Sequence, residues 1–526
     1  MKRNLFLFFT AFICGNSIMA VELTCTRFIA PYYGSSQITW TIVIGIIMLA
    51  ISSGNIIGGI FADRPGNKDV LYHFMIAAAL WISLIPVAGK AIIACSSIPL
   101  MVIFPENILI AGVTLSCITI FAFPCILLGA APPLLVKLAM TDLENNGKAA
   151  GEIYAVSTIG SIVGTFIPTF LTIPSIGTGR TFQLFAVILA LTSLIHFFRQ
   201  RRHVFQIILI CTGLALIFLF SPSGAFAFWK ENIIEAESQY NYIQISKDDS
   251  GMHLSTHVEI GQQSVSPKDN KLTECYWDKL LLAPFFSPEC NFEKPVKTLI
   301  LGFCGGTQAK LLKRFFSACE VEGVEIDNKI LELAYSNFGL KKTDAKVFID
   351  DGRTFFSRPE AGKYDVVFLD AFHDVYIPFH MATREYFEII KNHLAPDGTL
   401  AININMRSER SPELINYVLG TVKSVFPKTF RYDPPDLPNV IIFASSKPDC
   451  RSFLQKNLSN IPNNHVLAEL LNGIEKSLSE VTESKLIFTD DKAPVELLSQ
   501  RVLNDVLKDA VDMFFVLSFI EVSKNQ

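Results

Sequence analysis

Long apolar runs dominate the first 228 residues, which hold only 12 basic and 7 acidic side chains. The chain has 45 basic and 49 acidic residues, leaving 33 and 42 for residues 229–526. A segment that poor in charge, with repeated runs of about 20 apolar residues, suits helices that satisfy their own backbone inside a bilayer. The second part has the charge of an ordinary soluble domain, roughly a quarter of its residues. The sequence therefore predicts a multi-pass α-helical membrane domain over 1–228 fused to a soluble part, with the boundary near Pro222–Trp229.

Candidate spans lie at roughly 5–23, 37–61, 72–95, 107–131, 152–174, 180–198 and 204–221, about seven helices. The basic start Met1-Lys2-Arg3 and the run ending Ser17-Ile18-Met19-Ala20 have the shape of a signal peptide. Its continuation into Glu22 and a further span favours a retained helix. With the N-terminus inside, nine Lys/Arg fall in inside loops and three outside, the distribution of the positive-inside rule. Seven spans would place the soluble part outside the cell membrane; six or eight would place it in the cytoplasm, so the side stays open. Small residues such as Ser52-Ser53-Gly54-Asn55 and Gly160-Ser161-Ile162-Val163-Gly164 read as close helix packing. Glu22 and Glu106 are the acids near membrane depth, where a carboxylate is either functional or interfacial. Eleven scattered cysteines form no CxxC pair and no Cys/His group at zinc spacing, so no metal is expected. A net charge of −4 gives no electrostatic case for a nucleic-acid partner.

The soluble part divides again. Alternating residues around Tyr240–Ser246 and His253–Ser264, with Asp248-Asp249-Ser250-Gly251 between, predict a small β-strand subdomain over 229–294, with a linker helix at Tyr276–Leu282. From Pro295 strands alternate with helices: Lys297–Gly302, Val321–Ile326, Ala345–Ile349, Tyr364–Asp370, Thr399–Ile404 and Val440–Ala444. This is an α/β Rossmann-like fold of the class I methyltransferase kind over 295–526, with C-terminal helices and Asp490-Asp491 as a helix start before Pro494.

Ligands of such sheets bind at the carboxyl ends of the strands. Strand one runs into Gly302-Phe303-Cys304-Gly305-Gly306, whose glycines admit a close ligand. Strand two ends at Glu325, placed to hold ribose hydroxyls, and strand three runs into Asp351-Gly352, placed to meet an adenine amino group. Strand four ends at Asp370 with Asp374 following. Taken singly these are turns and caps; in this order, each at a strand end, they predict a nucleoside site.

These motifs resemble those of the aminopropyltransferases, or spermidine synthases, and in particular the membrane-fused spermidine synthase-like proteins. The likeness runs through most of the chain: Glu22-Leu23, Arg27-Phe28-Ile29-Ala30-Pro31 and Gly58-Gly59-Ile60-Phe61-Ala62-Asp63-Arg64 in the first part. In the second it includes Glu237-Ser238-Gln239-Tyr240, Gln263-Ser264, Tyr276, the glycine loop, Glu325, Asp351-Gly352-Arg353, Asp370 and Thr489-Asp490-Asp491-Lys492-Ala493-Pro494-Val495-Glu496. The resemblance implies transfer of an aminopropyl group from decarboxylated S-adenosylmethionine to a polyamine such as putrescine. It makes Asp370 the catalytic proton acceptor and puts the nucleoside on Gly302, Gly305, Gly306, Glu325, Asp351 and Gly352. Gln263, Tyr276 and Asp374 fall to the amine substrate.

Three positions depart from the family pattern. Gly305 stands where the family has an Asp, Tyr276-Trp277-Asp278 replaces Tyr-His-Glu, and the acid after Asp370 comes one residue late, at Asp374. The nucleoside half is thus kept more closely than the amine half. An S-adenosylmethionine-dependent methyltransferase, or a membrane transporter or sensor with a degenerate synthase domain, are the alternatives. The partners implied are a polyamine or other small amine and the lipid bilayer of the cell's inner membrane; homo-oligomerisation stays open.

Overall fold

The computed structural model describes the chain other than residues 1, 65–68, 94, 96–102, 104–106, 141–145, 201–203, 221–225, 227–229, 231–232, 259–260, 269–270, 372–376, 507 and 510–526. Glu106, His373 and Asp374 therefore lie outside the described residues. The chain falls into two units, Met1–Glu231 with Glu235–Tyr242, and Asn232–Ile234 with Ile243–Gln526.

The first unit is helical. Among the described residues, five helices are long and apolar enough to cross a membrane: Leu5–Tyr33, Gln37–Ala62, Val70–Ile93, Leu109–Ala139 and Gly147–Gln200. The last has 54 residues, well over twice the roughly 20 a bilayer core needs, and Gly177 at φ 82 and ψ 166 breaks its helical dihedrals. Leu49, Ile56 and Phe170 project outward from these helices. Helix Asn146–Ile167 lies directly on helix Lys2–Tyr33. A Cβ on Gly160 would fall 2.2 Å from the Phe12 carbonyl oxygen, and one on Gly164 would fall 2.1 Å from that of Asn16. The Ser161 hydroxyl donates to the Gly15 carbonyl at 3.2 Å. The Gly160–Gly164 stretch is thus packing surface, where the missing side chains let two backbones touch. The guanidinium of Arg27 donates to the carbonyls of Ser238, Gln239 and Tyr240, and Glu237 accepts the backbone N–H of Thr178 at 2.7 Å and its hydroxyl. Arg27 and the Glu237–Tyr240 motif, far apart in sequence, are one contact.

Strand β1 (Ile233–Glu237) straddles the division of the chain. In the second unit β2 (Tyr242–Lys247), β3 (Gly251–Ser255) and β4 (Ser264–Pro267) pair antiparallel. The Asp248 carboxylate closes the first turn by accepting the N–H groups of Ser250 and Gly251.

Among the described residues the large sheet has eight strands: β5 (Val296–Leu301), β6 (Cys319–Glu325), β7 (Lys346–Ile349), β8 (Tyr364–Leu369), β9 (Leu394–Ile404), β10 (Lys428–Tyr432), β11 (Val440–Ser445) and β12 (Ser479–Glu480). Their order is β12-β10-β11-β9-β8-β5-β6-β7. Strands β5 to β9 are parallel; β10, β11 and β12 run antiparallel to their neighbours. The sheet is mixed, and β10 and β12 are additions to the six strands read from sequence. Apolar alternation is weak in Lys428-Thr429-Phe430-Arg431-Tyr432, so pairing with β11 rather than pattern makes it a strand. The chain adds β6 and β7 on one side of β5, then returns to place β8 and β9 on the other. That reversal leaves a crevice at the carboxyl ends of β5 and β8.

Replacing Gly164 by Leu drives a side chain into the Asn16 backbone, a cost on the order of 1–3 kcal/mol. Detergent-purified Gly164→Leu should melt several degrees lower than wild type. Gly151→Ala on the same helix, where a Cβ meets nothing within 4 Å, should not. Equal melting of the two variants would refute the packing role.

Candidate active site

Two glycines shape the crevice floor. Gly302 has φ 85, and a Cβ there would lie 2.5 Å from the Asp370 carbonyl oxygen. Only glycine allows β5 to turn off this close to the end of β8. The Asp370 N–H donates to the Leu301 carbonyl at 2.9 Å, so the two strand ends are pinned together. Gly306, at φ 75, opens the helix Thr307–Phe315. Between them Cys304 takes φ 47 although it is not glycine, and its N–H donates to Glu325 Oε2 at 2.8 Å. The Gly305 N–H donates to Ser264 Oγ at 2.8 Å, and the Thr307 hydroxyl donates to the Val265 carbonyl at 2.8 Å. The small sheet thus braces the glycine loop, and half-buried Gln263 immediately precedes that brace.

At the end of β6 the Glu325 carboxylate accepts from Cys304 on one oxygen and from the Asp327 N–H at 3.0 Å on the other. Burial pushes its pKa up to about 7. Past β7, Asp351 Oδ1 accepts the N–H groups of Arg353 at 2.9 Å and Thr354 at 3.0 Å. Its Oδ2 meets His380 Nε2 at 3.2 Å, and that hydrogen bond is the main reason its pKa sits below the usual carboxylate range. The Tyr386 hydroxyl donates to the Gly352 carbonyl at 3.3 Å.

Asp370 has the densest surroundings. Its Oδ2 accepts the Tyr276 hydroxyl at 2.8 Å and its Oδ1 accepts Asn403 Nδ2 at 2.8 Å; Trp277 donates as well. Tyr276 and Trp277 lie ring to ring at 4.2 Å on the short helix Tyr276–Leu280. Asn403 is fully buried, and its own oxygen accepts Asn439 Nδ2 at 2.9 Å, which fixes the amide with its NH2 toward Asp370. Burial pushes the Asp370 pKa up to about 7 even though Asn403, Tyr276 and Trp277 hold it down. A carboxylate poised there can accept a proton near neutral pH. Asp278, the third residue of the Tyr276 triplet, does other work: its carboxylate accepts the N–H groups of Thr273 at 3.1 Å and Glu274 at 2.7 Å.

The structure therefore gathers Gly302, Gly305, Gly306, Glu325, Asp370 and Tyr276 at adjoining strand ends and sets Asp351 and Gly352 beyond β7. Two readings change. A helix does begin just past Pro494, but Asp490 does not cap it: its carboxylate is taken by Arg353. Asn403 and Asn439 belong to the site and were not legible as such. An asparagine inside the apolar run Leu400-Ala401-Ile402-Asn403-Ile404 was the available signal, since a buried amide needs partners.

A Rossmann-like methyltransferase fold with acids at successive strand ends and a poised carboxylate at the switch point defines a class of group transferases. The spermine/spermidine synthase domain model matches residues 285–450. A probable polyamine aminopropyl transferase of Bifidobacterium longum is 33 % identical over 321 residues, covering 57 % of this chain and 70 % of that one. The bovine eEF1A lysine and N-terminal methyltransferase is 29 % identical over 181 residues, covering 32 % of this chain and 26 % of its own. Among solved structures, a probable spermidine synthase from Corynebacterium glutamicum aligns with a TM-score of 0.35 at 19 % identity, covering 43 % of this chain and 87 % of that one. The chain belongs to the polyamine aminopropyltransferase family and is a transferase of that type.

The raised pKa of Asp370 has a stability consequence. The native state keeps a proton that the unfolded chain loses near pH 4, so this contribution is complete below that pH and is lost as pH rises through about 7. A difference of that size between the folded and unfolded chain corresponds to at most about 4 kcal/mol, and to less where solvent reaches the cleft. Asp370→Asn cannot ionise, so its melting temperature should gain on wild type between pH 5 and pH 8. A pH-independent difference would contradict the burial of this carboxylate.

Proposed function

We propose that the chain is a membrane-anchored aminopropyltransferase that moves the aminopropyl group of decarboxylated S-adenosylmethionine to a polyamine such as putrescine. The observation that carries this reading is Asp370, held by Tyr276, Trp277 and Asn403 beside the glycine loop. In the transfer the lone pair of the amine forms the new C–N bond while the C–S bond breaks, its electrons neutralising the sulfonium. Methylthioadenosine leaves, and the nitrogen's proton passes to Asp370. Glu325 takes the ribose hydroxyls, and Asp351 with Gly352 takes the adenine edge. Gln263, Tyr276 and Asp374 are the residues assigned to the amine. This chemistry needs orientation more than a cofactor, which the pinned strand ends supply.

Five apolar helices support an anchor in the cell's inner membrane. One observation favours a second reading. Gly305 removes the acid that meets the donor's amine in the family pattern, and a donor with its carboxylate intact is met less unfavourably there. That donor is S-adenosylmethionine, and the reaction would be methyl transfer.

The test uses the detergent-purified full chain with putrescine and either decarboxylated or intact S-adenosylmethionine, read by mass spectrometry. Methylthioadenosine and spermidine are expected, with kcat rising as pH increases through about 7. Asp370→Asn should lose at least ~100-fold in kcat while retaining methylthioadenosine binding. Adenosylhomocysteine from the intact donor would instead establish the methyl-transfer reading.

A further inference from the structure

In the second part of the chain, the Thr489–Glu496 motif is left without a role once the strand-end acids are assigned. Its turn is built from behind. Phe488 is fully buried, stacks on Tyr417 at 4.7 Å, and its N–H donates to the Thr421 hydroxyl at 2.8 Å. Its carbonyl accepts the Arg384 N–H at 2.9 Å, and Thr489 and Lys492 exchange backbone hydrogen bonds at 3.0 and 3.1 Å across the tip. Asp490 is thus offered from a fixed tip, with its own N–H donating to Glu385 Oε2 at 3.0 Å.

The Asp490 carboxylate takes both arms of the Arg353 guanidinium, Nη1 at 2.8 Å and Nη2 at 2.6 Å, and also accepts the Thr383 hydroxyl at 2.7 Å. The same Arg353 Nη1 donates to the His380 carbonyl at 2.9 Å. Arg353 lies two residues past Asp351, and the His380 ring meets the Asp351 carboxylate. One fork therefore ties together three segments around the Asp351–Gly352 loop: 350–354, 380–385 and 489–492. The pair is partly open to water, with side-chain exposures of 22 and 40 %. Exposed pairs add little stability, so the yield of this one is geometry, which a two-point Arg–carboxylate contact specifies and a point charge does not.

We propose that Asp490 is a positioning residue of the nucleoside site, which through Arg353 holds the Asp351–Gly352 loop in the shape that receives the base. This rests on the nucleoside reading above and adds a residue 137 positions distant from Arg353 in sequence. Asp490 does not touch the reacting atoms, so its loss should weaken the donor and leave the chemistry alone.

The experiment measures methylthioadenosine affinity by calorimetry and steady-state kinetics on the detergent-purified full chain. Wild type is compared with Asp490→Asn, Arg353→Lys and the exchanged pair Arg353→Asp with Asp490→Arg. Asp490→Asn should raise the methylthioadenosine Kd and the donor KM about tenfold, with kcat and amine KM within twofold. Arg353→Lys, which keeps charge but not the fork, should fall between, and the exchanged pair should recover part of the loss. Wild-type affinity in Asp490→Asn overturns the proposal. A parallel loss of kcat, amine affinity and melting temperature also overturns it, since that is the mark of a merely structural pair. If wild type itself binds no nucleoside, the functional reading fails and takes this one with it.

Discussion

The structure depends on the contact between Gly302 and the end of β8. Because no side chain intervenes, the β5 loop lies against the Asp370 backbone, and the Leu301 carbonyl holds the Asp370 N–H. This contact lies where the sheet reverses its direction of growth, so it sets the width of the crevice. The placement of Cys304 toward Glu325, of Gly305 toward Ser264 and of the next helix all follow from it. A chain that widened this one approach would separate Glu325 from Asp370.

Around that contact the site combines two kinds of electrostatic environment. Glu325 and Asp370 are buried enough that burial outweighs their hydrogen bonds, and both titrate near neutrality. Asp351, more open and bonded to His380, stays ionised far below that. The separation leaves a permanent anion past β7 and two groups able to exchange protons near neutrality at the ends of β6 and β8.

What was legible in the sequence was what repeats or ends abruptly. The charge-poor first part, the strand-to-acid transitions at Glu325 and Asp370, and the glycines after Leu301 each carry local chemistry with few alternatives. Strand β10 was not legible, because Lys428–Tyr432 is made a strand by its neighbour. Neither were Asn403 and Asn439, whose partnership spans two strands and depends on register. Asp490 was visible as a motif ahead of a helix, but its tie to Arg353 was not legible, since only the fold brings that residue to it. Pattern reading finds groups whose role is set by their own segment and misses those whose role is set by another.

The three donors on Asp370 have a directional consequence. A carboxylate offers about four lone-pair directions. Tyr276, Trp277 and Asn403 take three of them, from the helix Tyr276–Leu280 and from β9. A group presented from the side of those donors finds the carboxylate already engaged, however close it lies. Access to this acid is then a matter of approach angle, fixed by the rings and the amide that surround it, as much as of distance.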